Sequence, residues 1–176
     1  SSSSVNYVFS GGGSSLAKKA ENISLKEGLE RSNFRVNEGL WKWYSDNTQY
    51  FGDHKSSTSS DGASYKIADA KWDQIGNDKN ASAEAGIFVL SRYGTEATDQ
   101  KNSGGDLNDY SNGNYLELSP TEKDVLKGMK ALKVSGKLNK IIVLLNSANQ
   151  VQCDYIDDPE YGIDAVLWVG EGGSSG

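Results

Sequence analysis

The sequence has few of the residues that build the commonest metal centres, redox centres and hydrolase triads. Its 176 residues include one cysteine and one histidine. Cys153 alone excludes an internal disulfide and any zinc site built from several cysteines. His54 alone argues against histidine metal sites and serine–histidine–aspartate triads. If the chain takes part in catalysis, we therefore expect carboxylates to carry the chemistry, with no metal and no cofactor.

Basic charge and long apolar runs are also scarce. The net charge is −6, the sequence pI is about 4.8, and no basic cluster is present. This balance argues against nucleic acid or an anionic membrane as the main partner. The longest apolar run, residues 141–145, is far too short to span a bilayer. No signal peptide precedes the first apolar segment, which slightly favours a cytoplasmic location, although composition leaves the compartment open.

Three compact apolar runs alternate with signals for helices. The runs are apolar at successive positions, which is typical of strands buried on both faces of a parallel sheet. They are residues 86–90, 141–145 and 165–169. Ser24 and Asn37 are expected helix caps, and a third helix is expected from Ser119 to a stop at Gly136. The pattern predicts an α/β fold, a three-layer α/β/α sandwich with a mostly parallel sheet.

The three strands and the third helix also predict a hydrophobic core. Apolar strands of this length gain stability only when their faces are covered, so we expect residues of adjacent strands to pack against the apolar stripe of that helix. The expected core residues are Ile87, Val89, Ile142, Leu144, Val166 and Trp168 of the strands, with Leu126 and Met129 of the helix.

Ligands gather at the carboxyl ends of the strands in parallel sheets of this kind. Three loops qualify, and they are residues 11–15, 92–114 and 170–176. In the first, Gly11, Gly12 and Gly13 match neither a P-loop nor a dinucleotide fingerprint, so a plain turn is favoured over a phosphate site. In the second, the oxygen-rich residues around Asp106 fail the EF-hand register, so a solvated loop is favoured over a calcium site.

The second loop opens with one arginine and two carboxylates. Arg92, Glu96 and Asp99 follow an apolar strand directly. On these residues alone, a surface salt-bridge cluster is the favoured interpretation, because exposed charges pair often and to little effect. The competing interpretation is a functional site, since charged groups at the end of a buried strand are well placed for acid or base chemistry.

A resemblance to a known family favours the functional interpretation of these charged residues. The segment is similar to the strand-loop motif of glycoside hydrolase family 3, roughly V-V-I-S-R-x-x-G-E-G-x-D. The spacing from Arg92 to Glu96 to Asp99 is the same, whereas Thr95 and Ala97 stand where the family has glycines. Because the motif combines a buried strand with three charged residues at fixed spacing, it is more specific than any of its parts.

The resemblance extends over nearly the whole chain. It continues through residues 115–122 and 140–146 and ends at residues 164–173, which are similar to the family's D-A-(I/V)-L-W-x-G-x-x-G. In the family that this sequence resembles, a (β/α)8 barrel is followed by an α/β/α sandwich. The resemblance therefore implies that residues 1–176 are a partial sandwich, the second domain of a family 3 glycosidase. The N-terminal barrel, with the nucleophilic aspartate, is absent from this chain.

The resemblance also implies a function and a set of site residues. The full protein is expected to be a retaining, exo-acting β-glycosidase similar to β-glucosidases, in which Glu96 is the general acid/base. Arg92 and Asp99 are expected to support Glu96. The candidates for loops that contact substrate are Gly11, Gly12, Gly13 and Asp106. Because the nucleophile is missing, the isolated chain is expected to be inactive.

The expected partners are an oligosaccharide or an aryl or alkyl β-glycoside and the barrel domain of the same protein. An uncovered sheet edge would also leave room for a homo-oligomer. Two alternatives stay open. The chain can be a non-catalytic sandwich that only shapes a sugar site, or an unrelated flavodoxin-like domain that binds a phosphate-bearing ligand at its glycine loop.

Overall fold

The structure is a computed structural model that describes residues 23–46, 83–91, 116–118, 120–147 and 150–170. Three helices and three strands lie in these ranges. In chain order they are α1 (Leu25–Arg31), α2 (Glu38–Asp46), β1 (Ala83–Ser91), α3 (Pro120–Val134), β2 (Leu138–Asn146) and β3 (Ala165–Trp168). Among the described residues, no helix is both long enough and apolar enough to cross a membrane.

The three strands form one parallel sheet in the order β1-β2-β3. All three apolar runs of the sequence are strands, and the longest strand pairing joins β1 to β2 from Ala83 and Leu138 to Ser91 and Asn146. A parallel sheet requires long crossover connections, and α3 supplies the one between β1 and β2. The predicted α/β fold with a parallel sheet is therefore confirmed.

Local signals place the helix ends as the sequence predicts. The Ser24 side chain accepts a hydrogen bond from the amide of Glu27 at 3.1 Å, which is half of the expected capping box. Asn37 accepts from the amide of Leu40 at 3.0 Å and begins α2. Beyond α3, Gly136 adopts φ +75°, a left-handed conformation that ends a helix at little cost when the residue is glycine.

The core lies between the sheet and α3, but the sequence assigned several strand residues to it wrongly. The buried cluster contains Leu90, Leu138, Ile141, Val143 and Leu145 of the strands, together with Leu118, Leu126, Met129, Tyr155 and Tyr161. Leu126 and Met129 are thus core residues as predicted, Leu144 is buried as well, and Val166 packs against the cluster.

The other four residues predicted to be in the core are not fully buried, because of how the strands are placed in the sheet. Ile87, Val89 and Ile142 are only half-buried, and Trp168 is 72% exposed. Successive strand residues point to opposite faces, so a run that is apolar throughout does not indicate which face meets the helix. The face with Leu90 meets α3, and among the described strands β3 lies at one side of the sheet, where Trp168 is open to solvent.

The connection between β2 and β3 contains no helix in its described residues, 150–164. Two buried tyrosines of this connection, Tyr155 and Tyr161, enter the core on the side of α3 instead. Lysines of α3 bind the same segment, because Lys127 pairs with Glu160 at 2.9 Å and Lys133 donates to the carbonyl of Gly162 at 2.9 Å. The helix therefore holds the connection in place, although the connection is irregular.

Asp164 fixes the amino edge of the sheet, the edge formed by the first residues of the strands. Its carboxylate accepts from Lys133 at 2.5 Å, from the amide of Ile141 at 2.8 Å and from Lys140 at 3.2 Å. The hydrogen bond from Lys133, followed by the one from the Ile141 backbone, lowers the pKa of Asp164 from 3.8 to about 2. One carboxylate thus joins the end of α3 to β2 and to the start of β3.

Candidate functional site

The carboxyl edge of the sheet, formed by the last residues of the strands, is the candidate site. Because the strands are parallel, Ser91 of β1, Asn146 of β2 and Trp168 of β3 end at the same edge. Ser91 is the register partner of Asn146, and Trp168 is the partner of Leu145. Parallel sheets bind ligands at this edge, since loops diverge there and leave a crevice.

Two buried polar residues lie at the centre of this edge. Asn146 is 0% exposed and Ser147 is 1% exposed, although both follow a run of five apolar residues. The amide of Asn146 donates to the carbonyl oxygen of Gly170 at 2.7 Å. Buried polar groups are tolerated when they are hydrogen-bonded, so these residues tie strands together at a place where apolar packing ends.

The turn after β3 is held against β2. The amides of Val169 and Gly170 donate to the carbonyl of Leu145 at 2.9 and 3.3 Å. Gly170 has φ +59°, and a Cβ built there would meet nothing within 4 Å, so the conformation alone favours glycine. The backbone that leaves β3 therefore turns at a defined point on the carboxyl edge.

Trp168 presents an aromatic surface at the same edge. Its indole N–H donates to the carbonyl of Ser147 at 2.7 Å, while 72% of the residue is exposed. The hydrogen bond satisfies the polar atom and orients the ring, so the exposed remainder is apolar. The sequence analysis missed this feature, because it placed Trp168 in the core.

The catalytic candidates lie just outside the described residues. Arg92 is joined directly to Ser91, so the segment that carries Glu96 and Asp99 leaves the sheet at the carboxyl edge. The structure does not describe the predicted site residues themselves, which are Arg92, Glu96, Asp99, Asp106, Gly11, Gly12 and Gly13. Their roles therefore stay predictions, and the structure contributes the position at which their loop begins.

The polar residues at this edge, Asn146 and Ser147, were also not predicted from the sequence to be part of the candidate site. Asn146 ends a matched segment and Ser147 follows it, but neither received a role, because two polar residues after an apolar run are equally typical of an ordinary loop. The available signal was the abrupt change from Leu145 to Asn146 at a strand end.

Within the described ranges, no group of three or more histidine, cysteine, aspartate or glutamate residues is arranged to hold a metal ion.

Comparison with known proteins gives relatives for nearly the whole chain. No protein-family model matches it. A β-glucosidase of Ruminococcus albus is 26% identical over 176 residues, which cover 98% of this chain and 17% of the relative. The chain therefore spans about a sixth of the length of this curated relative.

Solved structures also match nearly the whole of this chain to one part of a longer protein. The structure of β-glucosidase 3B from Thermotoga neapolitana in complex with glucose has a TM-score of 0.70 and 23% identity, over 96% of this chain and 22% of that one. Its complex with glycerol gives a TM-score of 0.73 and 21% identity. A β-glucosidase from Paenibacillus barengoltzii matches with a TM-score of 0.67 and 22% identity, over 97% of this chain and 17% of that one. The chain is therefore similar, over nearly its whole length, to one part of family 3 β-glucosidases, as its motifs predict.

Proposed function

We propose that residues 1–176 form an α/β sandwich domain of a longer retaining, exo-acting β-glycosidase and supply its general acid/base. The observation that carries this proposal is the match of nearly the whole chain, in sequence and in fold, to a part of β-glucosidases. The expected substrate is an oligosaccharide or an aryl or alkyl β-glycoside. The expected partner is a barrel domain of the same protein, which would provide the nucleophilic aspartate.

The position of the loop supports the role of Glu96. Glu96 stands five residues after Ser91, whose strand is paired along its length with β2. An extended chain spans at most about 3.3–3.6 Å per residue, so the backbone of Glu96 can lie at most about 18 Å from the strand end. That distance is enough to reach across to a pocket on another domain, while the root of the loop stays fixed.

The chemistry divides between two carboxylates. In a retaining mechanism, the nucleophile attacks the anomeric carbon while the general acid protonates the leaving oxygen, and the same residue then removes a proton from water. Glu96 would perform both proton transfers. Arg92 and Asp99 would orient its loop, and Gly11, Gly12, Gly13 and Asp106 are the remaining candidates for substrate contact.

Leaving-group dependence tests the role of Glu96 in the full-length protein. The variant Glu96→Ala should lose most activity on aryl β-glucosides with poor leaving groups, because activated phenols depart with little protonic help. Azide needs no base, so it should restore turnover and give a glycosyl azide of retained configuration. Glu84→Ala is the matched control, since Glu84 is exposed on the same strand near the opposite edge.

The outcomes separate the alternatives. Equal slowing of good and poor leaving groups, with no effect of azide, would reject Glu96 and direct the search to Asp99 or Asp106. A change confined to KM would favour a non-catalytic sandwich that shapes the sugar site. Binding of inorganic phosphate at Gly11, Gly12 and Gly13 would favour the flavodoxin-like alternative. The isolated chain should be inactive throughout, because one carboxylate cannot complete a double displacement.

A further inference from the structure

A fully buried amide occupies the carboxyl end of the middle strand. Asn146 is 0% exposed, and it is the last residue of β2, which lies between β1 and β3. A buried primary amide is costly unless its polar atoms find partners. The residues before it, Leu144 and Leu145, show that the strand can be buried with apolar side chains alone. The contacts of Asn146 therefore indicate what its amide contributes to the fold.

Asn146 connects the ends of the two strands that flank β2. Its side chain donates to the carbonyl of Gly170 at 2.7 Å, and its backbone is the register partner of Ser91. Ser91 immediately precedes Arg92, and Gly170 immediately precedes Glu171. Both partners are thus the points at which loops leave the sheet, and Asn146 links them across the edge.

The bond from Asn146 is the better formed of the contacts described at Gly170. The amide of Gly170 lies 3.3 Å from the carbonyl of Leu145, beyond the usual range for an N–H···O bond, whereas the Asn146 contact is 2.7 Å. Gly170 also has φ +59°, which glycine adopts as readily as a negative φ, so the residue's own conformational preference does not fix the turn and its hydrogen bonds must do so. Loss of the amide would therefore remove the shortest described contact between Gly170 and β2 and weaken the attachment of the turn after β3.

We propose that Asn146 is a positioning residue for acid/base catalysis. By joining Gly170 to the end of β2 beside Ser91, it keeps the carboxyl edge in the arrangement from which the loop with Glu96 departs. This inference rests on the function proposed above. Misplacement of a catalytic group by about 1 Å can cost about a hundredfold in rate, so the proton-transfer step should be the most sensitive to its loss.

The test uses the full-length protein with Asn146→Ala and Asn146→Asp, which both remove the donor. The measurement is kcat/KM on one aryl β-glucoside with a poor leaving group and one with an activated leaving group. We expect a loss of about tenfold or more on the poor substrate and less than about threefold on the activated one. Asn139→Ala is the matched control, because Asn139 is exposed near the other end of the same strand.

A second pair of variants perturbs the acceptor instead of the donor. Gly170→Ala and Gly136→Ala both place a Cβ in open space at a positive φ, +59° and +75°, and so introduce similar strain. Gly170 lies at the carboxyl edge and Gly136 at the amino edge. Only Gly170→Ala should change the ratio of kcat/KM between the two substrates. This pair decides the question if the Asn146 variants do not fold.

The proposal is overturned if the Asn146 variants lose activity equally on both substrates. It is also overturned if Gly170→Ala cannot be distinguished from Gly136→Ala. The variant Glu96→Ala, measured in parallel, separates this inference from the proposed function. If Glu96→Ala shows leaving-group dependence and the Asn146 variants do not, the positioning role alone is wrong. If Glu96→Ala shows none, the proposed function is wrong.

Discussion

The carboxylate of Asp164 offers a quantitative test of how the amino edge of the sheet is held. Two substitutions separate its contributions. Asp164→Asn removes the charge that pairs with Lys133 and keeps an oxygen that can accept from the amide of Ile141. Asp164→Ala removes both interactions, so it leaves the Ile141 amide without this acceptor. The alanine variant should therefore be the less stable of the two by about 1–2 kcal/mol.

The magnitude follows from the pKa of Asp164, which is lowered from 3.8 to about 2. A difference of one pKa unit corresponds to about 1.4 kcal/mol, which gives an upper bound of about 2.5 kcal/mol. Solvent still reaches 21% of the side chain, and screening reduces the interaction. We therefore expect Asp164→Asn to lower the free energy of unfolding by about 1–2 kcal/mol at pH 7.

The sign of the pH dependence follows from the direction of the shift. Because the pKa of Asp164 is lower in the folded chain than in the unfolded one, its contribution is complete above the unfolded pKa and is lost as pH falls through the folded value. At pH 3 about half of the contribution should remain. The difference between wild type and Asp164→Asn should thus shrink between about pH 5 and about pH 1, two bounds that lie about one unit above the unfolded pKa of 3.8 and about one unit below the folded pKa of about 2.

Urea titrations of the chain at pH 7 and pH 3, followed by circular dichroism, measure this difference. Asp157→Asn is the control, since Asp157 is an exposed carboxylate of the same connection and its substitution makes the same change in net charge. Equal stability of Asp164→Asn and Asp157→Asn at pH 7 would refute the stabilising role of Asp164. A stability difference between wild type and Asp164→Asn that does not narrow at pH 3 would refute it equally.

Two further predictions concern the core and a helix cap. Leu126→Ala should destabilise the chain by about 2–5 kcal/mol, because Leu126 is fully buried, whereas Trp168→Ala should cost about 1 kcal/mol, chiefly the bond to Ser147. Thermal and urea unfolding measure both, and equal losses would contradict the observed core. Ser24→Ala should cost about 1 kcal/mol and speed amide exchange at the start of α1, while Ser24→Asp should retain the cap. Unchanged exchange in the alanine variant would show that the cap is unimportant.

Local chemistry determined the elements of this fold. The caps at Ser24 and Asn37 and the left-handed Gly136 act over three or four residues, so the sequence is sufficient to locate them. The three apolar runs predicted strands for a similar reason, since a short run that is apolar throughout fits a sheet covered on both faces. The order of strands and helices then predicted parallel pairing, because adjacent parallel strands need a crossover between them.

The tertiary structure decided which residues of those elements are buried. A shift of one residue exchanges the two faces of a strand, and apolar runs contain no alternation that fixes the choice. The sequence therefore could not show that Leu90 faces α3 while Ile87 faces away, or that Trp168 of β3 is open to solvent.

At the candidate site, too, the sequence determined some features and the tertiary structure decided others. Sequence motifs located the loop of Glu96 and indicated a family, because both depend on residue order along the chain. The contacts that hold the two edges of the sheet join residues far apart, since Asn146 binds a carbonyl 24 positions away and Asp164 binds a lysine 31 positions away. Such pairs are set by strand register and by the packing of α3 on the sheet, which arise only when the whole chain folds.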